Sequence, residues 1–176
     1  MIIVVGTSHT IQTADLELKP FLESLCMEFK VRAVAEEMNK EALAEKACAA
    51  SIPMQIANAL QLPHRFCDPN REERAKLNIH QENDIRIQAW LSQSNLSNSE
   101  IAVRVAESHA KREQYWLDQL RELNVWPVLF VCGADHVPQF CQLLKQQGIS
   151  VHVAAEDWAS NNTVERDAPQ AARPSP

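Results

Sequence analysis

The chain has 176 residues, 45% of them hydrophobic, enough for one globular domain with a real core. Its net charge of −6, with no basic cluster near either end, argues against a nucleic-acid or anionic-membrane surface. No apolar run approaches the ~20 residues that cross a bilayer.

In chain order, Ile2–Val5 is a continuous apolar run ending at Gly6, which predicts a buried parallel strand. A strand beginning at Ile2 leaves no room for the charged and apolar regions of a signal peptide. Five cysteines, odd in number and never spaced Cys-x-x-Cys, suit a reducing compartment, so a cytoplasmic location is expected. Leu18, Phe21, Leu22, Leu25 and Phe29 follow at helical spacing, with Pro20 in the first turn. Val31–Glu37 reads as a second strand ending in two carboxylates, and Lys40–Ala50 as an alanine-rich helix. Ser51 is placed to cap a short helix carrying Ile56, Ala57 and Leu60.

His64–Cys67 reads as a third strand that stops at Asp68-Pro69, where a helix start is expected. Ser99–Leu123 is the longest helix candidate, with Ile101, Val105, Trp116, Leu120 and Leu123 on one stripe and Arg112 among them. Val128–Cys132 is a fourth strand. A helix then opens at Pro138 and closes at Gly148, and Ser150–Ala155 is the last strand. From Ala159 onward bulky apolar side chains are almost absent, so residues 159–176 read as a disordered tail. Strands alternating with helices predict one α/β domain over residues 1–158, with a mainly parallel sheet of about five strands flanked by helices.

The most informative signal is a repeated tetrapeptide. The chain has 3 glycines and 6 histidines, and chance would give about 0.1 Gly-x-x-His pairs in this composition. Two occur, Gly6-Thr7-Ser8-His9 and Gly133-Ala134-Asp135-His136, each where a buried strand runs out. In α/β folds ligands bind beyond the carboxyl ends of the strands, where a glycine lets the backbone turn sharply. His9, Glu37, Asp68 and His136 all fall at or just past such an end, so a parallel sheet can gather them into one cleft. Two imidazoles and a carboxylate match the three-ligand set of a catalytic metal site, or make an acid/base pair.

Several of these residues have plainer roles open to them. Glu36 and Glu37 are adjacent and face opposite sides of an extended strand, so only one of them can enter the cleft. Asp68 suits a helix N-cap as well as a cleft wall. Arg112 either lays its stem on the core with its head in solvent or reaches a carboxylate or anion in the site. His64 and His152 read as ordinary polar residues near strand ends, and the tryptophans as packing. Ser8 diverges from His9 and makes no local dyad. Glycine-rich phosphate loops and the Gly-x-Ser-x-Gly elbow are absent from the sequence.

The paired motif resembles that of the erythromycin-esterase/ChaN-like superfamily, which includes the Tiki, TraB/PrgY and GumN proteins. Gly6–His9 is similar to its first motif, and Gly133–His136 with Val137-Pro138 to its second. Val34-Ala35-Glu36-Glu37-Met38 is similar to the family strand ending in Glu-Met or Glu-Leu, a resemblance that favours Glu37 over Glu36. Asp68 near Arg71, and Arg112 before Trp116, match softer elements. The resemblance spans residues 2–157 and implies an α/β fold whose cleft holds both histidines and the glutamate. Tiki members are metal-dependent proteases, the esterase branch opens a lactone and ChaN binds haem-iron. The resulting expectation is a hydrolase of ester or amide bonds acting on a small molecule or peptide. His9, Glu37 and His136 would be the ligands of a divalent ion (Mn, Zn or Co), with Asp68 and Arg112 as further catalytic residues. A non-catalytic protein holding a metal, haem or small ligand is the competing class, and 6% aromatic content with no flat apolar box ranks it second.

Overall fold

A computed structural model describes residues 1–91 and 96–158; the tail expected from residue 159 lies outside the described residues. Five parallel strands make one sheet in the order β3-β2-β4-β1-β5. They are β1 (Ile2–Thr7), β2 (Ala33–Glu36), β3 (His64–Phe66), β4 (Val128–Gly133) and β5 (Val151–Ala155). Every crossover passes through helix, as parallel pairing requires. The helices are α1 (His9–Ala14), α2 (Leu18–Glu28), α3 (Lys40–Glu45), α4 (Ile52–Ala59), α5 (Arg71–Leu77), α6 (Glu82–Leu91), α7 (Asn98–Leu123) and α8 (Val137–Gln146). None is long and apolar enough to cross a membrane among the described residues.

Strand alternation divides the core into two layers. Ile2, Val4, Ala35, Phe130 and Cys132 face Trp116, Leu117 and Leu120 of α7 and Phe140 and Leu144 of α8. Ile3, Val5, Val34, Leu129 and Val131 face Leu18, Leu22 and Leu25 of α2 and Ile52 and Ile56 of α4. The central strands are apolar at nearly every position because both faces are covered. Each large aliphatic side chain so buried contributes on the order of 2 kcal/mol.

Local chemistry moved several expected boundaries. β2 begins at Ala33 rather than Val31, because Lys30 takes a left-handed turn (φ 49°) and the Val31 N–H returns to the Cys26 carbonyl to close α2. The helix from Lys40 stops at Glu45, where Ala47 turns left-handed (φ 51°). Asp68 is not a helix cap. Asn70 caps α5 in a reciprocal capping box with Glu73, which leaves the Asp68 carboxylate free for other partners. Pro138 opens α8 and Gly148 (φ 71°) follows its end, as expected.

Candidate active site

The strand order places the motif-bearing strands side by side. β4 lies between β1 and β2, with Thr7 paired to Gly133 and Glu36 to Val131. Both Gly-x-x-His segments therefore leave neighbouring strands at the same sheet edge. Ser8 caps α1 by accepting the Ile11 N–H, so His9 starts a helix at the mouth of the cleft. After Gly133 a 3-10 turn over Ala134–His136 carries His136 inward, where it is buried.

The glycines serve close approach rather than the sharp turn expected of them. Gly133 has an ordinary φ of −59°, and among the described glycines only Gly148 has a positive φ. A Cβ on Gly6 would lie 1.9 Å from the Glu156 carbonyl oxygen. At Gly133 it would lie 3.1 Å from Glu37 Oε2, the atom that accepts the Gly133 N–H at 2.6 Å.

Glu37 is the hub. It sits just beyond β2, its own N–H bonded to the Val131 carbonyl, with 2% of the side chain exposed. Its Oε1 is 2.9 Å from Arg112 Nη2, 3.5 Å from His9 Nε2 and 3.9 Å from His136 Nε2. Burial alone pushes the Glu37 pKa up. The Arg112 guanidinium, the His9 hydrogen bond and the charge of His136 outweigh burial and hold the pKa at about 2. Glu37 is thus a fixed negative charge at neutral pH. Glu36 points the other way: it accepts hydrogen bonds from Ser51 Oγ and, at 2.8 Å, meets His64 Nε2 on the α4 side of the sheet.

Arg112 joins two carboxylates. Its Nη2 meets Glu37, its Nε donates to Asp68 Oδ1 at 2.5 Å, and its guanidinium lies 5.5 Å from the centre of the Trp116 ring system. Asp68 is surrounded by donors: Arg112, Arg74, the Trp116 indole N–H at 3.3 Å and the Asn39 amide at 3.4 Å. Of the two possibilities open for Arg112, the structure has it reaching carboxylates.

His136 is gripped from α7. Its Nδ1 lies 2.9 Å from Glu113 Oε1, and its ring lies tilted against His109 (centroids 4.4 Å apart) and edge-on to Trp116 (4.8 Å). Glu113 and His109 escaped the sequence reading, as did Asn39 and Arg74. Their signal was the run His109, Arg112, Glu113, Trp116 at i, i+3, i+4, i+7, a polar segment continuing the apolar stripe of one helix.

His9, Glu37, His109, Arg112 and His136 line a cleft of about 860 Å³, whose walls also carry Arg71, His80 and Asp135, while Asp68, Glu113 and Trp116 support them from behind. That volume suits a small molecule or a short peptide segment. His9, Glu37 and His136 meet as expected, but their arrangement does not fit a metal shell. Both Glu37 oxygens are engaged, and an ion at Oε1 would sit against the permanent positive charge of Arg112. Among the described residues no group of three or more His, Cys, Asp or Glu side chains stands ready to hold a metal. The donor set suits a charge-balanced acid/base cluster instead. No protein-family model, curated protein or solved structure matches the chain.

Proposed function

We propose that this cleft hydrolyses an ester or amide bond of a small-molecule or peptide substrate, and that it does so without a divalent ion. The observation that carries the reading is the convergence of Arg112, His9 and His136 on one ionised, buried carboxylate at the cleft floor. The likeness of the two Gly-x-x-His segments to those of the erythromycin-esterase/ChaN-like superfamily supports it.

The roles follow from which atoms are committed. Glu37, with its pKa near 2, is too weak a base to take a proton from water; it holds three nitrogen groups in place. Arg112 uses Nε and Nη2 on its carboxylates, and among the described residues no hydrogen bond uses its Nη1. That group supplies fixed positive charge where a carbonyl oxygen gains charge, the largest single contribution in most acyl transfers, and His136 lies beside it as a further polar contact. His9, with 38% of its side chain exposed at the mouth, faces the Glu37 carboxylate and is the proton donor to the leaving group.

The test is turnover of p-nitrophenyl acetate, longer p-nitrophenyl esters and a peptide library by the purified protein, with and without a chelator. Hydrolysis that survives chelation and disappears in both His9→Ala and His136→Ala is expected. Hydrolysis unaffected by either substitution removes the reading. Hydrolysis lost on chelation and restored by Mn²⁺, Zn²⁺ or Co²⁺ would return the two histidines and Glu37 to the role of ligands.

A further inference from the structure

Hydrolysis needs a group that takes a proton from water, and the cleft offers four histidines. Three have a ring nitrogen engaged: His9 Nε2 faces Glu37, His136 Nδ1 meets Glu113, and His80 Nε2 meets Asn78 Oδ1 at 2.9 Å. The fourth is His109 on α7, a half-buried side chain lining the cleft. Among the described residues nothing hydrogen-bonds to its ring, which lies tilted against His136 with centroids 4.4 Å apart and planes inclined by 50°. α7 sets His109 one turn before Arg112 and Glu113, so the residue that grips His136 and the residue that neutralises Glu37 also fix the helix that presents it.

We propose that His109 is the general base of the site, taking a proton from the water that attacks the substrate carbonyl. The assignment rests on the hydrolytic reading of the cleft. Among the described residues the ring of His109 carries no hydrogen bond, and burial lowers its pKa, with His136 and Arg112 beside it lowering it further, so a neutral ring with a free lone pair is available.

The step balances. As the water oxygen bonds to the carbonyl carbon, its proton passes to the free ring nitrogen of His109 and the carbonyl π pair moves onto oxygen, facing Arg112 and His136. On collapse the C=O bond re-forms and the bond to the leaving oxygen or nitrogen breaks. The departing atom keeps that electron pair and takes a proton from His9. His109 then returns its proton to His9 through solvent, and one water has been consumed.

Three variants of the full chain separate proton transfer from packing, assayed on p-nitrophenyl acetate after thermal melting confirms that each is folded. His109→Gln and His109→Phe are expected to lose about 10²-fold in kcat, with KM changed by less than about twofold, the scale of a lost general base. His109→Phe keeps a ring against His136, so wild-type kcat in that variant would make His109 a stacking support and overturn the assignment. Added imidazole is expected to raise the rate of His109→Ala in proportion to its concentration. A folded His109→Ala that imidazole does not accelerate would also overturn it. His136→Ala in parallel separates the two claims: if it abolishes turnover while the His109 variants remain active, the hydrolytic reading stands and only this assignment falls. A wild type that turns over none of the probes removes both.

Discussion

Arg112 lies 2.9 Å from Glu37 Oε1 and carries on its other nitrogen the Asp68 carboxylate, so one guanidinium neutralises two buried acids from different strand ends. Removing it takes from buried Glu37 its one arginine partner and leaves Asp68 with Arg74 alone as a charged partner. Arg112→Ala is therefore expected to cost about 3–5 kcal/mol of folding stability, read as a fall in the urea midpoint. Arg112→Lys keeps the charge without the planar fork that spans both partners, and most of the loss is expected to remain. Wild-type midpoints in both variants would show that the bridge does not hold the site together.

The state of Glu37 sets an acid limit. Its folded pKa of about 2 lies below the ordinary carboxylate value of 4.5, so the folded state binds fewer protons than the unfolded state between these values. The stabilisation is complete above about pH 4.5 and is lost as pH falls toward 2, amounting to about 3 kcal/mol. Urea unfolding from pH 6 down to the acid limit checks this. In Glu37→Gln the slope in that window should flatten, and an unchanged slope would mean that other carboxyl groups carry the acid response.

Much of this arrangement was legible in the sequence. The apolar runs at Ile2–Val5 and Val128–Val131 can only be strands covered on both faces, and the two Gly-x-x-His segments mark the same sheet edge in different parts of the chain. What could not be read was contact between distant side chains. Nothing local tells Asp68 that Arg74, Asn39 and Trp116 surround it, and Asp68-Pro69 looks like a helix cap until Asn70 is seen to take that role. The polarity of Glu37 against Glu36 depends on which face meets α4, a tertiary choice. The partner of Glu37 was hidden for the same reason: Arg112 lies 75 positions further along the chain.

The charge balance at Glu37 also predicts how the protein meets divalent ions. Mn²⁺, Zn²⁺ and Co²⁺ are expected to leave the melting temperature unchanged between about pH 5 and 8, the range in which histidine titrates. A thermal-shift series with a His136→Ala control measures this. Stabilisation that weakens with acid and vanishes in His136→Ala would place a cation where the account places only Arg112.

The glycine of the first motif and the one after α8 should respond differently to alanine. At Gly6 the new methyl meets the Glu156 carbonyl at 1.9 Å and Val137 Cγ2 at 2.6 Å, so the end of β5 must move. A loss of about 3 kcal/mol or more is expected. Gly148 has φ 71° with nothing within 4 Å of an added Cβ, so its alanine variant should lose only about 1 kcal/mol, from the backbone strain. Melting curves of the two variants give the comparison. Equal shifts would mean that close approach is not what requires glycine at the first motif.

The adjacent pair Glu36 and Glu37 gives the most direct measurement of the central claim, because the two carboxylates differ in the face they serve. Glu36 is fully buried against Ser51 and His64, on the side of the sheet away from Arg112. Glu36→Gln is expected to lower stability by about 1–3 kcal/mol while leaving ester hydrolysis within a few-fold of wild type below its melting range. Glu37→Gln is expected to lower kcat by at least about 10²-fold, because Arg112, His9 and His136 lose the charge that gathers them. Steady-state kinetics of both variants on the same probe ester measures this. Loss confined to Glu37→Gln is the predicted result; a Glu37→Gln enzyme that turns over like wild type, or equal losses in the two, would contradict it.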